Sequence, residues 1–314
     1  MHGRKTACDC VIGGWERVVW PIPGRPAAGR EFLSGGGHTV GGMRDDKLLT
    51  KIGGLLRQAE GTDNEHEAQA FLQAAQRLAT AASIDLAVAR SHDPGARNRA
   101  TPVQRKIEIG PAGKRGLKTY VALFLAIAHA NDVRCDIASN ATYVLAFGFA
   151  GDIDALEALY SSLVVQMVAA SDAYLKSGAY RGQTAQRVVT QTHGWYRRRV
   201  VEEKQLSPIT ARLNFQHAFA ERIGARLAQA REEALATAAA AESAPKSTAV
   251  ALRDKEIEVR DFHAAESSAR GSWQPVSTSA GYSSAARRAG DRAGRRARIG
   301  AQEQFDAARG ALEA

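Results

Sequence analysis

Two amphipathic helical patterns on either side of a short polar turn, in residues 47–86, constrain the fold of this chain more than any other feature. Apolar residues recur at the spacing of one helix face in each pattern. They are Leu48, Ile52, Leu55, Leu56 and Ala59 in the first and Ala68, Phe71, Leu72, Ala75, Leu78, Ala79 and Ala82 in the second. Gly61 is a typical helix stop, and Thr62 with Glu65 forms a capping-box pattern. The short connection predicts an antiparallel αα-hairpin.

Two helices of this length cannot bury both apolar faces by themselves. The hairpin is therefore expected to dock on the rest of the chain, on a protein partner or on a second copy of the chain. His66 lies between Glu65 and Glu67, but neighbouring residues on a helix point in different directions, so we predict a solvated helix start there and no metal site.

The composition favours an anionic partner without requiring one. The 314 residues carry a net charge of +9, which favours nucleic acid or an anionic membrane surface. Arginine enrichment in a GC-rich genome explains the same charge equally well. Three cysteines are too few for a disulfide framework, and there is neither a secretory signal pattern nor a run of 18 apolar residues. We expect a cytoplasmic protein without a membrane partner.

The chain divides into segments of different composition. Residues 1–42 carry ten of the 29 glycines and no periodic pattern. We interpret them as a disordered N-terminal extension or, with Met43 as the true start, a mis-annotated one. The segments predicted after it are an αα-hairpin domain at 43–89, a linker at 90–113, an α+β domain at 114–242 with an insertion arm at 177–208, and a C-terminal basic helical region at 243–314.

The predicted fold class is α+β and helix-dominated. A helix from Leu117, strands at Val133–Ile137 and Thr142–Phe149, and a helix capped by Asp152 form a small α-β-β-α domain after the N-terminal αα-hairpin. The β-hairpin arm and long C-terminal helices follow, the first of them from Pro208. The linker holds one short candidate strand at Lys106–Ile109. In the C-terminal region, Ala249–Phe262 fits either a strand followed by a helix or a single helix.

The hairpin also carries a recognisable set of residues: Lys-Ile-x-x-Leu-Leu-x-x-Ala-Glu at 51–60, Asn64-x-x-Glu67-Ala68 at the turn, and Ala75-Gln76-x-Leu78 near the end. This set resembles the domain-of-unknown-function 2786 family of actinobacteria and tailed phages. Residues 113–133, 162–174 and 286–300 look like the longer mycobacterial-type members, so the resemblance spans roughly residues 43 to 300. The resemblance implies a family and no activity, cofactor or site residue.

The insertion arm is the first candidate site. Two β-prone runs, Arg187–Thr192 and Arg197–Glu202, surround His193 to Tyr196 and predict a β-hairpin with an aromatic tip. Aromatic rings beside arginines suit stacking on bases and contact with phosphates. The residues assigned to nucleic-acid binding here are Trp195, Tyr196, Arg197, Arg198 and Arg199. The alternative is an exposed arm whose aromatic rings pack on their own domain.

The second candidate site is a helix predicted at Tyr282–Ile299. Its small residues, Ala286, Ala289, Gly290, Ala293, Gly294 and Ala297, share one side. Small residues at this spacing predict close approach of another backbone. The arginines of this helix share the opposite side, where Asp291 is the single acidic residue. They are Arg287, Arg288, Arg292, Arg295, Arg296 and Arg298. We predict that Arg288, Arg292, Arg295 and Arg296 contact a phosphate backbone; the alternative is a solvated face.

Lys114 and Arg115 form the third candidate, a basic glycine-rich loop before a helix that would contact an anion. It is not a nucleotide-binding phosphate loop, because Glu108 stands at the first glycine position and Arg115 at the Ser/Thr position. An ordinary strand-to-helix turn is the alternative.

Three functions stay open on the sequence alone. The first is a binding protein that contacts nucleic acid with little sequence specificity, and the second is a non-catalytic interaction or scaffold module. The third is a metal-dependent enzyme, for which His129, Cys135, His193 and His217 are the candidates. Their spacings match no ligand motif, and a core position is expected for His129 and Cys135. We therefore predict no catalytic residue, metal or cofactor.

Overall fold

The computed structural model describes residues 40–61, 65–92, 95, 100–193, 195–241, 245–270, 273 and 281–297. The predictions for 1–39, for the capping residue Thr62, for Gly194 at the tip of the arm and for Arg298 lie outside these residues. The predicted domain boundaries stay predictions.

The described residues form seven helices and five strands, and the fold is helix-dominated α+β, as predicted. The αα-hairpin is present, and the predicted α-β-β-α unit, arm and C-terminal helices follow it in that order. In chain order the elements are α1 Val40–Gly61, α2 Glu65–His92, β1 Val103–Glu108, α3 Leu117–Ala130, β2 Arg134–Ile137, β3 Tyr143–Gly148, α4 Ala150–Lys176, β4 Thr184–His193, β5 Tyr196–Gln205, α5 Pro208–Ala241, α6 Pro245–Glu266 and α7 Ser284–Arg295.

The central sheet has three antiparallel strands in the order β1-β3-β2. Val103 of β1 lies opposite Gly148 of β3, and Arg134 of β2 lies opposite Phe147. The short strand predicted in the linker is therefore an edge strand of the same sheet, and it begins three residues earlier than expected. Because β1 and β2 both run antiparallel to β3, they run parallel to each other, and α3 makes the crossover between them.

The αα-hairpin docks on the chain's own helices. Helix α1 packs against α4, and α2 packs against α5 and α6. Ile52, Leu56 and Leu72 are buried in the same hydrophobic cluster as Phe124 of α3 and Leu159 of α4. Burial of each such side chain contributes about 1.5–3 kcal/mol. The apolar faces that the sequence left without a partner are thus covered within the chain.

Two local predictions change in the structure. Helix α4 begins at Ala150 with Phe149 as its N-cap, so Asp152 lies inside the first turn and does not cap the helix. Asp152 is buried there and forms an ion pair of 2.7 Å with Lys255 of α6. The segment Ala249–Phe262, which fitted two interpretations, is part of the single helix α6.

Helix α4 is the one helix in the described ranges that is long and apolar enough to cross a membrane. Core helices of soluble proteins pass the same test. Leu156, Leu159 and Leu163 of this helix are fully buried against the other helices. In the most apolar stretch of this helix, 39% is buried within the fold.

Candidate nucleic-acid interface

The arm is a two-stranded ribbon that projects from the body of the protein. Strands β4 and β5 pair antiparallel from Thr184 and Gln205 at the root to His193 and Tyr196 at the tip. At a rise of about 3.3 Å per residue, the tip lies about 30 Å from the root. An isolated two-stranded hairpin is only marginally stable in water, so the arm depends on its anchorage at the root.

The root of the arm is fixed to the segment that leads into α7. Gln186 and Tyr282 exchange two backbone hydrogen bonds, with N–O distances of 2.8 and 2.7 Å. Ala185 and Leu206, which flank the root, are buried in a small cluster with Ala286 of α7. The structure thus joins the root of the arm to α7, whereas the predicted site residues Trp195 to Arg199 lie at the far end of the ribbon.

The aromatic residues at the tip are exposed. The Trp195 side chain is 100% exposed and that of Tyr196 is 82% exposed. The alternative in which both rings pack on their own domain is therefore wrong for the described residues. A fully exposed tryptophan gains nothing from its large apolar area within the chain, and such residues are enriched at binding surfaces.

The arginines of the arm lie on both faces of the ribbon. Residues directly opposite each other in a hairpin share a face. Arg197 lies opposite Thr192 and Arg199 opposite Thr190, on one face, whereas Arg198 lies opposite Gln191 on the other. All three arginines are exposed, and none forms an ion pair with an acidic residue in the part of the chain that the structure describes.

The acidic residues of the arm are confined to its root half. The carboxylate of Glu203 accepts a hydrogen bond from the Thr184 hydroxyl, and Glu202 lies 3.8 Å from Lys204. From Arg197 to Arg199 the arm itself carries three positive charges and no acidic residue, although the Glu202 carboxylate reaches along the ribbon and accepts a 3.4 Å hydrogen bond from Gln191, which lies opposite Arg198. This separation concentrates a positive potential at the outer end of the ribbon, where a polyanion would meet it first.

Helix α7 packs on α5 through its small residues, as predicted. A Cβ atom on Gly290 would lie 2.0 Å from the carbonyl oxygen of Phe215, and one on Gly294 would lie 2.8 Å from the Cβ of Arg222. Real side chains do not approach this closely, so glycine is required at both positions. The close crossing of the two backbones compensates for the low helix propensity of these glycines.

The arginine face of α7 is partly neutralised by acids. Arg287 forms a 2.5 Å ion pair with Glu221 of α5, and Arg295 lies 3.0 Å from Asp291, which also pairs with Arg222 at 2.6 Å. Burial alone would raise the pKa of Asp291, but its hydrogen bonds and charge contacts with the two arginines lower it. Two arginines of this face, Arg287 and Arg295, thus have acidic partners, and phosphate contact by Arg288, Arg292, Arg295 and Arg296 stays a prediction.

Arg288 and Arg292 are the exposed arginines of α7 that form no ion pair within the described ranges, and Arg296 is also exposed. Arg292 lies on α7, and Ala286 of this helix is buried in one cluster with Ala185 and Leu206 at the root of the arm. Arg288 and Arg292 thus lie on the helix that contacts the root, whereas Arg197 to Arg199 lie about 20 Å or more further along the ribbon.

The loop of Lys114 and Arg115 is a strand-to-helix turn. Gly116 has a φ angle of +90°, which favours glycine, and its carbonyl accepts a 2.8 Å hydrogen bond from the Thr119 hydroxyl. Both basic side chains are exposed, and Lys114 Nζ lies 5.2 Å from the centre of the Tyr120 ring. Binding of an anion by this loop stays a prediction.

The first turns of α5 lie beside all three predicted sites. Leu213 and Gln216 face Gly116 of the basic loop, whereas Asn214 hydrogen-bonds the backbone of Gly281 and Ser283 just before α7. The loop and α7 therefore lie at the same end of α5 but on different sides of it. The root of the arm and α7 lie side by side, and the loop is separate from both.

The structure describes the side chains of three candidates for catalysis, Cys135, His129 and His217, and the side chain of His193 lies outside the described residues. Cys135 is buried, and burial raises the pKa of its thiol well above the ordinary value. His129 is exposed at the end of α3, so the expected core position is wrong for it. His217 is held by Glu221 at 3.1 Å and by Arg287 at 3.4 Å. The described residues contain no group of three side chains that could hold a metal ion.

Two buried polar clusters, which the sequence did not indicate, hold α6 in place. Lys255 pairs with Asp152 and donates a hydrogen bond to Ser83, and burial raises the pKa of Asp152 despite this cation. At the other end of α6, Asp136 accepts a 2.7 Å hydrogen bond from Ser267 and lies 2.9 Å from His263. Both clusters join distant segments, and we interpret them as structural.

Comparison with known proteins identifies only the hairpin. A search of curated proteins and a search of solved structures both found no match. One family model matches, and it covers neither the arm nor α7, so the wider resemblance from residue 43 to 300 stays a prediction. Residues 47–86, which form most of the αα-hairpin, match the model of the family described as Protein of unknown function (DUF2786).

Proposed function

We propose that this protein is a cytoplasmic, non-catalytic nucleic-acid-binding protein whose arm makes the main contact. The observation that carries the proposal is the outer end of the arm, where a fully exposed Trp195 precedes three exposed arginines without acidic partners. Arg288 and Arg292 of α7 provide a second contact next to the root.

The chemistry of the arm suits a polyanion that carries aromatic bases. Stacking of a base on an aromatic side chain contributes about 1–3 kcal/mol and tolerates any base. Arginine side chains contact phosphates and contribute the salt-dependent part of the binding free energy. The arm offers both kinds of group within five consecutive residues, Trp195 to Arg199. We expect binding with little sequence preference.

The direct test compares the wild-type protein with Trp195→Ala in fluorescence-anisotropy titrations of a labelled oligonucleotide at low salt. Loss of one stacked base costs about 1–3 kcal/mol of binding free energy. The affinity of Trp195→Ala for the oligonucleotide is therefore expected to be about 5-fold to 150-fold lower than that of the wild-type protein. Val250→Ala is the control, because Val250 is 58% exposed on α6, outside the arm. Absence of binding by the wild-type protein at low salt would refute the proposal.

A variant without the arm tests the same proposal independently. Replacement of residues 188–201 by two glycines keeps the Gln186–Tyr282 backbone bridge and the buried Ala185 and Leu206. We expect this variant to keep the helix content of the wild-type protein, measured by circular dichroism, and to bind the oligonucleotide much more weakly. Undiminished binding by this variant would show that the arm is not the contact surface.

An interaction module is the second candidate function. Val188 and Val201 lie opposite each other on the arm and are 58% and 61% exposed, which favours an apolar protein contact. A partner or second copy at the αα-hairpin would have to use its outer face, because the apolar faces are buried. Light scattering of the wild-type protein and of a Val188→Thr, Val201→Thr variant tests this candidate; a monomer in both cases counts against self-association.

A further inference from the structure

We propose that the ligand of the arm is double-stranded DNA and that the ribbon lies in the major groove with one face toward each wall. This inference rests on the proposed function and specifies its substrate class. It is carried by the distribution of charge on the ribbon: Arg197 and Arg199 project from one face and Arg198 from the other, by the observed register of the two strands.

Charge on both faces distinguishes a groove from a single strand. A single strand that lies across the ribbon contacts one face, so the arginines on the opposite face would stay in water. The two walls of a duplex groove each carry a row of phosphates. A ribbon between them places Arg197 and Arg199 against one row and Arg198 against the other, and all three cations are used.

The dimensions of the ribbon select the groove. A two-stranded β-ribbon is one of the elements that the major groove of a DNA duplex admits. The major groove of B-form DNA is about 12 Å wide and about 8.5 Å deep, whereas the minor groove is only about 6 Å wide. The major groove of A-form RNA is deep and narrow and does not admit such an element. B-form DNA is therefore the duplex that fits.

The exposed length of the arm sets the size of the binding site. From the Val188–Val201 pair to the His193–Tyr196 pair the ribbon extends about 17 Å at about 3.3 Å per residue. This length corresponds to about five base pairs at about 3.4 Å each. In this orientation a strand edge faces the base pairs and the arginines face the phosphates, which agrees with the low sequence specificity expected above. Trp195 lies in the turn beyond the paired strands and stacks on a base only where that base is unpaired, so Trp195→Ala is expected to weaken binding to a single strand more than binding to the duplex.

Single substitutions on the two faces provide the first test. We measure the salt dependence of binding to a 20-base-pair DNA duplex for Arg198→Gln, Arg199→Gln and the control Arg260→Gln, whose exposed side chain pairs with Asp261 on α6. Each arm substitution is expected to reduce the magnitude of the slope of log K, where K is the association constant, against the logarithm of the salt concentration by about 0.9. The control substitution is expected to leave this slope unchanged. A slope change for Arg199→Gln but not for Arg198→Gln would overturn the two-wall arrangement.

Competition with groove-specific dyes provides the second test. Methyl green in the major groove is expected to displace the protein from the duplex, and netropsin in the minor groove is expected to leave it bound. The DNA duplex should also bind at least tenfold more tightly than its separated strands or an RNA duplex of the same sequence. Tighter binding to the single strands, or displacement by netropsin alone, overturns this inference but leaves the proposed function standing. Absence of binding to every oligonucleotide overturns both.

Discussion

Replacement of Gly290 by alanine tests the packing that fixes α7 and, through the Gln186–Tyr282 bridge, the root of the arm. The new Cβ would lie 2.0 Å from the carbonyl oxygen of Phe215, whereas ordinary contacts begin at 3.4 Å. The two helix backbones must therefore separate by about 1.4 Å, the difference between these distances. Such a separation would loosen Ala286, which is fully buried in the same contact.

The expected magnitude follows from two opposing terms. Overpacking costs about 1–3 kcal/mol, and a rigid backbone carbonyl puts this case at the upper limit. Alanine gains about 1 kcal/mol of helix propensity over glycine. The net destabilisation is thus about 2 kcal/mol, which lowers the midpoint of urea unfolding by about 0.7 M for a slope of about 3 kcal/mol/M.

The control is Gly151→Ala in α4, because a Cβ atom at Gly151 meets nothing within 4 Å among the described residues. We expect that variant to keep or raise the urea midpoint, through helix propensity alone. If Gly290→Ala also keeps or raises the midpoint, the close crossing of α5 and α7 is refuted.

Three further predictions concern buried and charged groups. Lys255→Met should lower the unfolding free energy by about 3–5 kcal/mol in urea titrations, because Asp152 loses its cation while buried. The pKa of Glu221 is lowered, because its hydrogen bonds and charge contacts with His217 and Arg287 outweigh the opposing effect of burial. Its contribution to the free energy of unfolding is therefore complete above the ordinary value of 4.5 and is lost as the pH falls below it. On acidification, the urea midpoint of Glu221→Gln should accordingly fall less than that of the wild type. Mass spectrometry should find Cys135 unmodified by iodoacetamide in the native protein and modified in urea, because only the exposed thiolate reacts.

Local patterns predicted much of the architecture. The αα-hairpin, the α-β-β-α unit and the pairing of the arm around its tip all follow from periodicities in single continuous segments of the chain, and the structure has each of them. The small-residue face of α7 also predicted its close packing correctly, since glycine in a helix is otherwise unfavourable. Trp195 and the arginines that follow it were identified from composition, but their exposure could not be.

The rest depends on contacts between residues far apart in sequence, which leave no local pattern. Nothing near Gln186 indicates that its backbone pairs with Tyr282, and nothing near Asp152 indicates a partner at Lys255. The neutralisation of Arg287 by Glu221 is of the same kind. For this reason the sequence overestimated the cationic surface of α7 and did not predict its position beside the arm.

The most direct test of the central claim, that the arm binds nucleic acid through its arginines, is the salt dependence of duplex binding by an Arg197→Gln, Arg198→Gln, Arg199→Gln variant. The matched control removes three exposed arginines on and after α6, Arg253, Arg260 and Arg270. We predict that the slope of log K against log salt becomes smaller by about 2.7 in the arm variant, at about 0.9 for each arginine, and does not change in the control. Equal slopes for the wild type and the arm variant would contradict the claim.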